Sequence, residues 1–155
     1  MKRALLAARL GALACVASLT TFADGRDRRA PLSATYVQEC AACHAPFPPS
    51  MLGAGSWHRI MQGLDHHFGT NATLEPALRD EIAAWLASNA GTGHRIEAHP
   101  PEDRITRSAA FTREHHEVPA AVWSRAAVAR PSNCSACHPR ADQGAFNEHE
   151  VRIPR

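Results

Sequence analysis

A five-residue motif occurs twice in this chain, as Cys40-Ala41-Ala42-Cys43-His44 and as Cys134-Ser135-Ala136-Cys137-His138. This repeat constrains the fold more than any other feature. On a helix, positions i, i+3 and i+4 share a face, so two thiols and one imidazole can address the same flat object. Thioethers to two porphyrin vinyl groups plus one imidazole bond to iron use that spacing, and Cys-x-x-Cys-His reads as a c-type haem attachment site. Two copies predict two covalently bound haem c groups. Cys40, Cys43, Cys134 and Cys137 are then the attachment residues, and His44 and His138 the proximal iron ligands.

Other uses of paired cysteines compete: a four-thiolate zinc site, a thioredoxin-like redox motif, or two disulfides. None needs a histidine directly after each pair. With 10 His in 155 residues, that neighbour arises by chance about once in sixteen, and twice about once in 250. The dihaem reading leads, and zinc is its nearest rival.

Residues 1–23 combine a positive start (Met1-Lys2-Arg3), an apolar run and the small-residue pattern Thr21-Phe22-Ala23. That is a secretory signal peptide cleaved after Ala23. An uncleaved anchor is disfavoured because the apolar run is shorter than the ~20 residues a span needs. Lipidation at Cys15 is disfavoured by its lead-in, Ala12-Leu13-Ala14. Cleavage removes Cys15 and leaves every remaining cysteine inside a motif. Thioether cytochromes are assembled outside the bacterial inner membrane, so export agrees with the motif and predicts a periplasmic protein.

Processing also resets the charge. The chain has 17 Lys+Arg against 15 Asp+Glu, and loss of Lys2, Arg3 and Arg9 leaves 14 against 15 with no lysine at all. Haem propionates add further negative charge, so nucleic-acid binding has no electrostatic support. Residues 24–30 read as a charged tether. Residues 31–155 read as one dihaem domain, with a first-haem lobe at 31–91 and a second-haem lobe at 92–155.

Along the chain, Ser33 is placed to cap a short helix in which Tyr36, Val37, Cys40 and Cys43 recur at helical spacing, ended by Ala45-Pro46-Phe47-Pro48-Pro49-Ser50. That stiff apolar loop either covers an edge of the first haem or is a plain linker. Ser56 is a cap candidate for a stripe of Trp57, Ile60, Met61 and Leu64 that continues to His67 and Phe68. Asn71 to Gly91 holds the clearest helix, with Pro76 in its first turn and Leu74, Leu78, Ile82, Trp85 and Leu86 on the face expected to pack over the first haem. Thr92 to Arg113 reads as a surface connector. Pro119 suits the start of a helix to about Ala129, and Ser132 the cap of a helix bearing the second motif. The tail from Gly144 reads as extended. No strand pair with a hairpin signal is found, so the expected class is all-α.

The distal ligand of each iron sets its chemistry: a Met raises the potential, a second imidazole lowers it, and an open position permits ligand binding. For the first haem the stripe favours His67, with His66 and Met61 as rivals. For the second it is His115, in Phe111-Thr112-Arg113-Glu114-His115, with His116 as rival. His58, His94, His99 and His149 sit in polar contexts and read as solvated.

From about Tyr36 to Ile153 these residues resemble the small bacterial dihaem cytochromes c. The likeness covers the first motif with Phe47-Pro48-Pro49, then Ser56-Trp57, Ile60-Met61, Leu64 and His67-Phe68-Gly69. It resumes at Ile105-Thr106-Arg107-Ser108, Phe111, Arg113-Glu114-His115, the closing Cys137-His138, Ala141, Gly144, Phe146, Glu148 and Ile153-Pro154. The resemblance implies bis-imidazole coordination of both haems, low potential and a cytochrome c-like N-terminal lobe followed by a short helical and loop C-terminal lobe. It also implies electron delivery to a periplasmic redox protein such as a monohaem cytochrome c, fed from a membrane b-type cytochrome. The doubled histidines at 66/67 and 115/116 depart from the pattern and leave each ligand open by one residue.

The function expected is therefore non-enzymatic: a carrier of single electrons with no small-molecule substrate. A dihaem enzyme of peroxidase type needs an open iron and usually a longer chain for a gated site, and the supply of imidazole argues against it. A haem-based ligand sensor is the other alternative, weakened because no signalling domain is attached.

Overall fold

The computed structural model describes residues 31–155; the expected leader (1–23) and tether (24–30) lie outside the described residues. Five α-helices, α1 (Ala34–Cys40), α2 (Ala54–Gln62), α3 (Pro76–Ser88), α4 (Ala109–Glu114) and α5 (Ala120–Trp123), alternate with short 3-10 turns. Among the described residues there is no strand, only an isolated bridge between His67 and Thr70. The class is all-α.

α1 starts where Ser33 Oγ accepts the Tyr36 N–H at 3.3 Å, satisfying one of the donors a helix start leaves free. It ends at Cys40, so Cys43 and His44 follow in a turn rather than on the helix. His44-Ala45-Pro46 explains the stop, because a residue before proline is pushed out of helical geometry. The proline loop beyond is fastened by two aromatic donors: Tyr36 OH donates to the Phe47 carbonyl at 3.1 Å, and Trp57 Nε1 to the Pro49 carbonyl at 2.7 Å.

α2 begins earlier than its sequence suggests. The Gly53 carbonyl accepts from Ser56 and Trp57, and Ser56 is not the cap but a buried residue of the first turn whose Oγ accepts from Arg59 Nη2 at 3.2 Å. α3 begins at Pro76, where a missing N–H costs nothing. Its inner face lies on α2 and α1, with Ile82 and Leu86 both 1% exposed and Trp85 5.2 Å from Tyr36. Tyr36, Leu52, Trp57, Met61, Leu64, Ile82 and Leu86 form the core of this half.

The segment expected as a surface connector is structured. Ile105 packs against the core, and Ser108 is buried. Arg59 of α2 grips Asp103 in a two-pronged pair, Nε to Oδ2 at 2.8 Å and Nη2 to Oδ1 at 2.7 Å. The later helices are shorter than their sequence suggests. α5 stops at Trp123, and Ala129 adopts a positive φ of 62°. The second motif forms a 3-10 turn, Cys134–Ala136, with Ser132 exposed and not a cap. Pro131 and Pro139 bracket it, leaving too few residues for a helical nucleus to propagate. The tail from Gly144 is extended apart from one turn at Glu148–Glu150. It is held by the Arg152 N–H donating to Cys137 O at 2.9 Å and Arg125 Nη1 donating to Pro154 O at 2.6 Å.

Gly91 follows α3 for a reason other than helix termination, since Asn89 is the cap. Its N–H donates to Leu52 O at 2.8 Å, and a Cβ there would collide with the Ser50 carbonyl and the Ile96 side chain. Backbone cannot yield as a flexible side chain can. Gly91→Ala is therefore expected to destabilise the protein by about 1–3 kcal/mol, read as a lowered midpoint in chemical denaturation followed by far-ultraviolet circular dichroism.

Candidate functional site

The fold brings the motif histidines opposite two others. His44 faces His67 with ring centroids 6.2 Å apart, and His138 faces His115 at 6.1 Å. A metal–imidazole bond of about 2 Å plus about 1 Å from nitrogen to ring centre, counted on both sides, gives roughly 6 Å for two rings on one metal. Each pair is thus spaced for a single iron between its rings. Among the described residues no group of three or more His, Cys, Asp or Glu is placed to hold a metal by itself, so the four cysteines do not converge as a zinc site requires. None of the four is in a disulfide.

His67 caps the 3-10 turn Leu64–His66, which ends the stripe from α2. It is half-buried, whereas the His66 side chain is 90% exposed beside Asp65. The chain then reverses at Phe68 and Gly69, with φ of 48° and 96°, and the Thr70 N–H returns to His67 O at 3.0 Å. Gly69 therefore serves the reversal, which needs a positive φ. Met61 lies in the core and not at the turn. Across the gap, His44 Nδ1–H donates to the Ala45 carbonyl at 2.7 Å, leaving Nε2 as the free lone pair. Phe47 lies on His44, with centroids 4.9 Å apart and 20° between planes, so the proline loop is a wall of the first site.

His115 caps α4 at its C-terminus, and its Nδ1–H donates to the Phe111 carbonyl at 2.9 Å. Phe111 stacks on it at 4.0 Å and Trp123 lies at 5.9 Å. The neighbouring His116 side chain is 70% exposed and its Nδ1 meets Arg113 O at 2.8 Å. His138 packs against Phe146 at 5.2 Å, and its Nδ1 is buried without a hydrogen-bond partner. A ring buried at that cost, about 1–3 kcal/mol, fits a site where a metal bond at the other nitrogen offsets it. His58, His94, His99 and His149 are exposed.

The electrostatics suit neutral ligands and protonated thiols. Burial, then the facing His44 and then Arg104, lower the pKa of His67; burial, then the facing His115, lower that of His138. Neutral imidazole is the form that binds a metal. Burial, with Glu39 and Cys43, pushes the Cys40 thiol up to about 11, and burial also raises Cys134 and Cys137.

The dihaem cytochrome c family model matches residues 36–146. The chain belongs to that family. This dihaem cytochrome c is 35% identical to the diheme cytochrome c of Shewanella baltica OS155, covering 78% of this chain and 92% of that one with a TM-score of 0.68. It is likewise 35% identical to a diheme cytochrome c of Rhodobacter sphaeroides, over 76% of this chain and 100% of that one, with a TM-score of 0.65. No curated protein matches. As a dihaem cytochrome c the chain carries two covalently bound haem c groups.

The sequence placed Phe47, Phe111, Phe146 and Ser108 within the family likeness, and their support of the histidines comes from the fold. Phe47, Phe111 and Phe146 back three of the four rings, and no periodic pattern marks them. Ser108 starts α4, which ends at His115: its Oγ accepts from the Phe111 N–H at 3.1 Å and donates to Ile105 O at 2.8 Å. Ser108→Ala is expected to cost about 0.5–2 kcal/mol, measured as a fall in thermal stability while haem stoichiometry stays at two.

Proposed function

We propose that this dihaem cytochrome c carries single electrons between exported redox partners, with each haem closed by two histidines. In this reading Cys40, Cys43, His44 and His67 hold the first haem, and Cys134, Cys137, His138 and His115 the second. The observation that carries it is the pair of ring separations, 6.2 and 6.1 Å. One-electron redox chemistry is what the two irons supply when bound. The chain's residues would do the rest: the thiols would anchor each haem, the facing imidazoles would hold its iron, and Phe47, Phe111, Trp123 and Phe146 wall the imidazole rings with apolar surface.

An iron closed on both sides leaves no position for a substrate, which supports a carrier rather than an enzyme. Export to the periplasm is supported by the leader pattern of residues 1–23. A periplasmic monohaem cytochrome c as acceptor and a membrane b-type cytochrome as donor are the partners that this reading and the family resemblance suggest.

The two sites differ in ring orientation, 26° between the planes of His44 and His67 and 69° between those of His115 and His138. Near-parallel imidazoles split the iron d orbitals with which they overlap, and crossed ones leave them nearly degenerate. The oxidised protein is expected to show two low-spin paramagnetic resonance signals, one rhombic and one strongly anisotropic. A high-spin signal at neutral pH, or a thioether-type spectrum, overturns the assignment.

Substitution tests the individual ligands. His67→Met is expected to leave two haems attached and raise one of two midpoint potentials, and an unchanged titration refutes His67. His115→Ala is expected to give one high-spin haem, with His116→Ala nearly silent; the reverse outcome makes His116 the ligand.

A further inference from the structure

Beside His67 lies a cleft of about 320 Å³ lined by His67, Phe68, Arg59, Glu102, Asp103 and Arg104. The Arg104 guanidinium sits over the Phe68 ring at 4.4 Å, and Phe68 meets His67 edge-on at 4.8 Å. These contacts keep the cation within about one Debye length, about 10 Å at 0.1 M salt, of the His67 ring. Phe68 is exposed and has a positive φ of 48°, so the turn presents its face to the guanidinium instead of burying it in the core.

The cation is only partly balanced. Glu102 accepts from Arg104 Nε at 2.8 Å and also from Arg107, while Asp103 is taken by Arg59. Three guanidiniums therefore share two carboxylates. The segment is held in an unfavourable backbone shape to do so, since Glu102 and Asp103 are consecutive non-glycine residues at φ of 58° and 53°. The second ring pair has different surroundings. Its ring neighbours are Phe111, Trp123 and Phe146, and among the described residues no guanidinium is seated over any of them.

We infer that Arg104 sets the two haems apart in potential, raising that of the first by placing a positive charge, only partly balanced by the Glu102 it shares with Arg107, beside its distal ligand. Oxidation adds one positive charge at the iron, which a fixed cation nearby disfavours. The first haem is then the one on which an electron rests.

The inference rests on the proposed ligation by His67, and spectroelectrochemical titration of the full chain with both haems separates the two. The step that His67→Met raises is the first haem; no such step means the ligand assignment has failed. Given that step, Arg104→Gln is expected to lower it by threefold to tenfold in the oxidised-to-reduced ratio, about 30–60 mV at 59 mV per tenfold. Arg104→Lys keeps the charge and is expected to retain most of the potential. Glu102→Gln removes the shared carboxylate and is expected to move the same step upward. The low-spin signals should persist in all three. If Arg104→Gln leaves the step in place, moves both haems equally, or is matched by Arg104→Lys, the charge role is wrong; a downward shift in Glu102→Gln also overturns it.

Discussion

Two imidazoles facing each other at the distance of one metal ion are a demanding arrangement. Each ring must be desolvated, held neutral and aimed at a point it does not touch. Here that requirement is met twice by short elements whose ends are fixed from outside. His67 stands at the close of a turn that α2 delivers, and His115 at the last turn of α4. Their partners, His44 and His138, follow motif cysteines in tight turns. Without rigid backing these rings would turn to solvent, as His66 and His116 do one residue away.

The backing is aromatic and backbone-based rather than ionic. Phe47, Phe111 and Phe146 lie against rings, and carbonyls of Ala45 and Phe111 accept from two of the four Nδ1 groups. Both devices fix orientation without adding charge, which keeps the dielectric low near a redox centre. The densest group of ion pairs involves the segment Pro100–Ser108. That segment joins α2 to α4 through the Arg59–Asp103 pair and the Ser108 cap, and so links the elements that carry His67 and His115.

Much of the first half can be read directly from the chain. The Ser33 cap, the stripe of Trp57, Met61 and Leu64, and the buried face of Ile82 and Leu86 are local signals, and tertiary packing uses them as written. Local signals mislead where burial outbids them. Ser56 has the side chain of a cap, yet Gly53 starts α2 and Ser56 is drawn inside beside Arg59. The stretch from Thr92 to Arg113 lacks periodicity because its order comes from ion pairs and scattered apolar contacts at Ile96, Ile105 and Phe111, which leave no repeating pattern.

The two Cys-x-x-Cys-His motifs determine the cofactor and its number, because that spacing of thiols and imidazole is a property of five consecutive residues. The all-α class follows equally from local periodicity. Which of two adjacent histidines faces each motif is a different kind of fact. The apolar stripe favours His67 over His66 and the stretch from Phe111 favours His115 over His116, but adjacent histidines are alike in type, and it is the direction in which a packed turn leaves its helix that turns one of each pair to its motif. The same holds for Arg104, a charge in a charged segment until the reversal at Phe68 and Gly69 sets it over an aromatic face. Sequence carries chemistry that is contiguous; facing pairs and neighbouring charges come from chain reversals, whose direction depends on packing.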